Sequence, residues 1–241
     1  MNTSRLLWHG TPDVADPSAL RPHVSFLDAV WLSGSPEVAA LYAGPDGHVH
    51  GFLPAPGTRM LAAFGEHSAE ADRYPSPDDW LAIRSWLEGN GFDLAYFDCL
   101  GDDAVSGPHG QPCWSALFHD LSEVNGAGED LLRLCGLAGL MHHERIELAL
   151  GDRSRRIDGS HDPAYKRLAA RLATRAKEPS VSVAVLDPAV LVHACSLPSA
   201  TVSSAWLSGH PLPATRPEHL APWHAVPDTS LLPAPVPAFG T

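Results

Sequence analysis

The stretch from Leu6 to Ala43 constrains the fold of this chain more than any other. One apolar run, Leu6-Leu7-Trp8, ends in the polar triplet His9-Gly10-Thr11. A second, Ala29-Val30-Trp31-Leu32, ends in Ser33-Gly34-Ser35-Pro36. Short apolar runs bounded by turn residues read as buried strands. Ser35 then falls at an N-cap position, Pro36 at the first helical position and Glu37 in the first turn. This order predicts a helix to about Ala43, stopped by Gly44-Pro45. A histidine therefore stands at one strand end, a serine turn at the next, and Tyr42 on the helix that follows.

The remainder alternates between strand and helix signals. Thr11 to Asp28, with prolines at 12, 17 and 22, is expected to be a loop with at most one helical turn. His48 to Leu53 reads as a third strand after the Asp46-Gly47 turn, and Met60 to Phe64 as a fourth short apolar run. Ser76-Pro77-Asp78-Asp79 is a capping box that opens a helix carrying Trp80, Leu81, Ile83 and Leu87. Gly89-Asn90-Gly91 ends it, and Phe92 to Phe97 is predicted as a strand. Gly101 to Cys113 reads as a loop, and Gly128 to Leu150 as a helical region broken at Gly136 and Gly139, with part of it as strand the alternative. Asp162 caps a third helix with Tyr165, Leu168 and Leu172 on one face. Val181 to Leu186 reads as a strand ending in Asp187-Pro188, with a turn back into Val190 to Val192. Prolines recur from Ser208 onward, which predicts an extended tail. The whole pattern is α+β, with residues 1–200 as one domain and 201–241 as a proline-rich extension.

Charge and composition narrow the partners. A formal charge of −12 disfavours broad nucleic-acid binding, which neutralises phosphates with Lys and Arg. The basic residues are uneven, however: nine of the 16 lie at Arg145, Arg153, Arg155, Arg156, Lys166, Arg167, Arg171, Arg175 and Lys177. That 145–177 stretch reads as a solvated helix face, with a partner-docking or phosphate-touching surface as the alternative. Cys99, Cys113, Cys135 and Cys195 show no CxxC spacing, and the apolar surroundings of all but Cys113 favour free thiols. His48-Val49-His50 and His142-His143 are the best histidine clusters, but neither has a partner at a recognised ligand spacing, so no metal is expected. No run of about eighteen apolar residues exists, and the first residues are too short for a signal-peptide core. A cytoplasmic protein where it is synthesised, with no membrane partner, is the expectation.

Strand-end histidine, serine turn and helical tyrosine, in that order, resemble the NAD-binding half of the ADP-ribosyltransferase superfamily. The resemblance implies a split pair of small β-sheets with flanking helices and NAD bound in the cleft between them. NAD would be consumed as a substrate with no metal, and ADP-ribose passed to a macromolecular acceptor, a protein in the first instance. Members of this kind often serve as bacterial toxins or effectors delivered to another cell. Breaking the nicotinamide–ribose bond builds positive charge on the ribose, so the site needs groups that orient the sugar, a ring against the nicotinamide and a nearby carboxylate. By resemblance, His9 would hold the ribose, Gly10 the nicotinamide amide with Thr11 beside it, and Tyr42 would stack on the nicotinamide. Ser33 matches the serine turn, whereas Ser35 reads equally as a helix cap.

The carboxylate departs from the pattern. Relatives place a glutamate on a late strand just before a sequence like Val185-Leu186-Asp187-Pro188, and here Ser182 occupies that position with Glu178 a few residues upstream. Asp98, at the end of the predicted Phe92–Phe97 strand, and Glu144, beside His142 and His143, are the two candidate catalytic acids, with Glu147, Asp102 and Glu178 behind them. The displaced acid keeps open a non-catalytic interaction protein with a degenerate fold. An NAD glycohydrolase is a further alternative, as is transfer to an RNA 2′-phosphate, which the acidity of the chain disfavours unless the basic stretch docks the RNA.

Overall fold

Ala29, Val30 and Leu32, and likewise Val183, Ala184 and Val185, are buried in succession, so the strands that carry them bury residues on both faces. The computed structural model describes residues 6–12, 20, 22–24, 27–62, 74–99, 110–122, 126–210, 212 and 224–226. Nine strands are found among them: β1 (Leu7–Thr11), β2 (His23–Val24), β3 (Asp28–Ser33), β4 (His48–Pro54), β5 (Arg59–Ala62), β6 (Gly139–Arg145), β7 (Pro179–Val185), β8 (Leu191–Pro198) and β9 (His224–Val226). The helices are α1 (Pro36–Ala43), α2 (Pro77–Gly89), α3 (Leu94–Cys99), α4 (Trp114–Ser122), α5 (Ala127–Leu134), α6 (Ile146–Gly159), α7 (Pro163–Ala173) and α8 (Ser199–Ser208). The architecture is α+β around a mixed sheet.

Hydrogen bonds link the strands in the order β8-β4-β1-β3-β7-β6-β5-β9, with β2 paired to β3. The pairs are antiparallel except that β5 runs parallel to β6 and β9. The strands thus form one connected path rather than two separate small sheets. The connection is uneven. β1 and β4 pair over five positions, from Leu7↔Phe52 to Thr11↔His48, whereas β1 and β3 meet only at Trp8↔Ser33.

One face of the sheet buries Leu7, Val30, Leu32, Phe52, Met141, Val183 and Val185 together. On the other face, two groups of helices cover the two sides of the β1–β3 junction. α2, α3, α4 and α5 pack through Ile83, Phe97, Trp114 and Leu131 onto Ala29, Leu61, Leu140 and Ala184. α1, α6, α7 and α8 pack through Leu41, Ile146, Leu168 and Val202 onto Trp8 and Val49. α8 crosses position 200, and β9 adds His224–Val226 to the edge of the sheet at β5.

Local chemistry explains most elements. Ser76 accepts the Asp79 amide and donates its hydroxyl to the Asp79 carboxylate, closing the capping box of α2. Asp162 accepts the Tyr165 amide at the start of α7. Ser35 sits at the N-cap position of α1, but its side chain makes no capping bond; Ser33 Oγ instead accepts the Ser35 amide at 3.0 Å. The predicted Phe92–Phe97 strand is replaced by α3. Asp93 accepts the Ala95 amide at 3.0 Å, a helix-starting cap, and Leu94 and Phe97 then fall on one helical face. The predicted 128–150 region resolves into α5, the strand β6 and the start of α6. Gly136, at φ +65°, makes the turn that separates α5 from β6.

Candidate active site

A cleft of about 300 Å³ opens beside the β1–β3 junction, walled by β1 and α1 on one side and by β6, β7 and α6 on the other. His9, Gly10, Ser33, Tyr42 and Glu144 all line it. Thr11 is at the far end of β1, paired with His48, and is not part of the lining. Asp98 is carried by α3, which contributes no lining residue; its side chain lies outside the described structure. Asp102 also lies outside the described residues. Glu147 is exposed and accepts a bond from Arg145, and Glu178 pairs with Arg175.

The β1–α1 wall is built tightly. A Cβ at Gly10 would run into the Ala39 carbonyl oxygen and the Ala43 amide. The glycine is therefore required by the close approach of α1 to β1, while Gly10 also lines the cleft. α1 is only eight residues long, and its last carbonyls need partners. Ser199 Oγ donates to the Ala40 oxygen, Tyr165 Oη to the Leu41 oxygen at 2.8 Å, and Arg156 to the Tyr42 oxygen at 2.9 Å. Gly44, at φ +80°, then ends the helix. These ties come from α6, α7 and α8, and they fix the backbone that carries Tyr42. Its phenol donates to Asp152 Oδ2 at 3.1 Å. Burial, with the Asp152 and Glu144 charges, pushes the Tyr42 hydroxyl far above its ordinary value, so it remains protonated.

His9 reaches across the junction. Its Nδ1 lies 2.8 Å from the Trp31 carbonyl oxygen, and since a carbonyl can only accept, the proton is assigned to Nδ1. Burial holds His9 below its ordinary value, against the opposing effect of that hydrogen bond. The neutral ring therefore keeps an Nε2 lone pair, an acceptor suited to a hydroxyl.

The opposite wall supplies the acid. β6 and β7 pair His142↔Ser182 and Glu144↔Ser180, and β3 joins through Ser33↔Ser182. Cross-strand partners share a face, so Ser33, Ser182, Ser180, His142 and Glu144 project to the same side. Ser182 Oγ donates to Glu144 Oε2 at 3.1 Å. The carboxylate thus stands one strand away from the position where the sequence led us to expect it, bonded to the serine that occupies that position. Burial raises its pKa; the Ser182 bond opposes this and the Asp152 charge adds to it. His142 Nε2 lies 3.5 Å from Glu144 Oε1, and burial together with His143 pushes His142 down to about 4. The His142 ring meets Trp31 edge-on at 5.6 Å between centroids.

β6 passes into α6 without a loop. The first α6 amides, those of Ile146 and Glu147, donate to the carbonyls of Glu178 and Ala176. This sends Ile146, Ala149, Asp152 and Arg153 along the cleft. Asp152 and Arg153 are the site residues that sequence reasoning did not assign to the site. The signal for them was the i, i+3, i+7 spacing of Ile146, Ala149 and Arg153, usable only once Ile146 is known to start a helix. Arg153 lies over the Tyr42 ring, 4.5 Å from guanidinium carbon to centroid.

Among the described residues no cluster of three or more His, Cys, Asp or Glu is set to hold a metal ion, and no helix is long and apolar enough to cross a membrane. No family model, curated protein or solved structure matches the chain.

Proposed function

We propose that the cleft binds NAD and that the protein transfers ADP-ribose from it to a macromolecular acceptor, in the first instance a protein, in the manner of an ADP-ribosyltransferase-like effector. The observation that carries this reading is the convergence of His9, Gly10, Ser33, Tyr42 and Glu144 on one cleft. The connected sheet departs from the split pair of sheets that the resemblance implies, so the reading rests on the cleft and not on the topology. The cleft volume suits the nicotinamide and its ribose, with the remainder of the dinucleotide along the opening.

In this reading His9 Nε2 accepts a ribose hydroxyl, the Gly10 backbone meets the nicotinamide amide, and the Tyr42 ring packs against the nicotinamide. Glu144 faces the same ribose. The bond between C1′ and the pyridinium nitrogen breaks with its electron pair going to the nitrogen, so nicotinamide leaves neutral and needs no proton. Positive charge develops on C1′ and the ring oxygen, and the Glu144 carboxylate stabilises it through the ribose hydroxyl it accepts. The acceptor then bonds to C1′ and gives up its proton to Glu144 or to solvent. A second reading, a non-catalytic binder, is favoured by two observations: Ser182 stands where the acid was expected, and Arg153 covers one face of Tyr42.

The test is incubation of the purified protein with labelled NAD and a lysate, following nicotinamide release and transfer of label. Release with transfer, lost in His9→Ala and Tyr42→Ala, is the expected result. Release without transfer makes the protein a glycohydrolase that uses water as acceptor. Binding of NAD without release makes it a non-catalytic module, and neither binding nor release removes the NAD reading.

A further inference from the structure

The arginines around the cleft differ in what their charge does. Arg145 donates to the Glu147 carboxylate at 3.2 Å, and Arg175 pairs with Glu178 at 2.7 Å and Glu37 at 3.7 Å. Arg156 is spent on the carbonyls that end α1. Arg153 is different. Its guanidinium rests on the Tyr42 ring, it has no hydrogen-bond or ion-pair partner among the described residues, and its Nε is buried with no acceptor. A buried guanidinium N–H without an acceptor costs stability unless a ligand supplies one.

The surroundings say what that ligand carries. Glu144 and Asp152 place negative charge in the cleft, and Arg153 places a planar cation on its α6 wall. A ligand cationic at one end and anionic nearby complements this pattern, and a guanidinium prefers the paired oxygens of a phosphate. We infer that Arg153 is the pyrophosphate anchor of the cleft, leaving the face of Tyr42 to bond the diphosphate while the nicotinamide takes the place against the ring. This rests on the NAD reading above and names the residue that selects a dinucleotide over the nicotinamide nucleoside alone. It also gives the Arg153–Tyr42 contact a function: the cation holds the aromatic face until the ligand that replaces it supplies an anion.

The experiment is calorimetric titration of the wild type and Arg153→Gln with three probes: NAD, ADP-ribose, which keeps the pyrophosphate and lacks nicotinamide, and nicotinamide alone. Loss of a charge-assisted contact predicts about ten- to hundred-fold weaker NAD and ADP-ribose binding in Arg153→Gln. Nicotinamide affinity should hold, Tm should stay level or rise, and the salt dependence of ADP-ribose binding should flatten. Equal ADP-ribose affinity in the two proteins overturns the inference. Equal losses for ADP-ribose and nicotinamide also overturn it, since Arg153 then only shapes Tyr42. Arg153-dependent binding of ADP-ribose without any binding of NAD or nicotinamide keeps the anion site and removes the NAD reading. No binding of any probe removes both.

Discussion

The two walls of the cleft are held in opposite ways. On the β1–α1 wall, every carbonyl from Ala40 to Tyr42 meets a donor from Ser199, Tyr165, Arg156 or the backbone, and Gly10 lets the helix lie directly on the strand. On the β6–α6 wall, Glu144 and His142 are both driven toward their neutral forms by burial, and Arg153 has an N–H without an acceptor. One wall is a satisfied platform, and the other carries polar groups at a cost. Unfavourable polar burial of this kind is concentrated where a ligand is to be met. The contrast makes a directional claim: trimming the first wall lowers stability, and neutralising the second raises it.

The largest effect is expected at Gly10. Gly10→Ala drives a methyl into the α1 backbone and should cost about 3 kcal/mol in urea unfolding, with NAD affinity lost as Tyr42 moves off β1. A cost under about 0.5 kcal/mol would show that α1 yields easily, and the rigid-platform account would fail. Next comes Tyr165→Phe, which leaves the Leu41 oxygen without its side-chain donor and should cost about 1–3 kcal/mol, again by urea unfolding.

Stability against pH reports the burial of histidines and of Glu144 with opposite signs. His142, on the second wall, and His50, on β4, are each pushed down to about 4, chiefly by burial. Below the ordinary histidine value of 6.5 the unfolded chain binds protons that the native fold refuses, so stability should fall as pH drops from 6.5 toward 4. His142→Asn should flatten that slope in denaturant melts across the range. Glu144 acts with the opposite sign. Its raised pKa means the native fold holds a proton that the unfolded chain has released, so its contribution is fully present below the ordinary value of 4.5 and lost as pH rises through the native pKa. The smallest predicted effect is therefore a gain: Glu144→Gln should have a higher Tm than wild type at pH 8, with the difference vanishing near pH 4. A lower Tm at pH 8 would mean that the Ser182 bond outweighs the burial of the carboxylate.

The same contrast decides what the sequence disclosed. Residues 6–43 encode their wall locally, with strand end, serine turn, Pro36 and Gly44 in order, so His9, Ser33 and Tyr42 were legible there. Glu144 entered only as one of two acids, because its place depends on the register Glu144↔Ser180 between strands far apart in sequence. Asp98 is equivalent to it only if Phe92 to Phe97 forms a strand; the Asp93 cap and the Leu94–Phe97 spacing make that segment a helix. Gly10 was legible as a place of close approach, but the approaching group is α1. Asp152 and Arg153 were hidden because nothing local marks a strand that becomes a helix without a loop.

The central claim is that Glu144, reached across the sheet, is the acid that acts on ligand held by His9 and Tyr42. Single-turnover release of nicotinamide from NAD tests it most directly, with wild type, Glu144→Gln and Asp98→Asn side by side. Glu144→Gln is expected to slow release by about 100-fold or more while NAD binding stays within a few-fold, and Asp98→Asn to match wild type. Release that persists in Glu144→Gln, or that disappears in Asp98→Asn with folding intact, would contradict it.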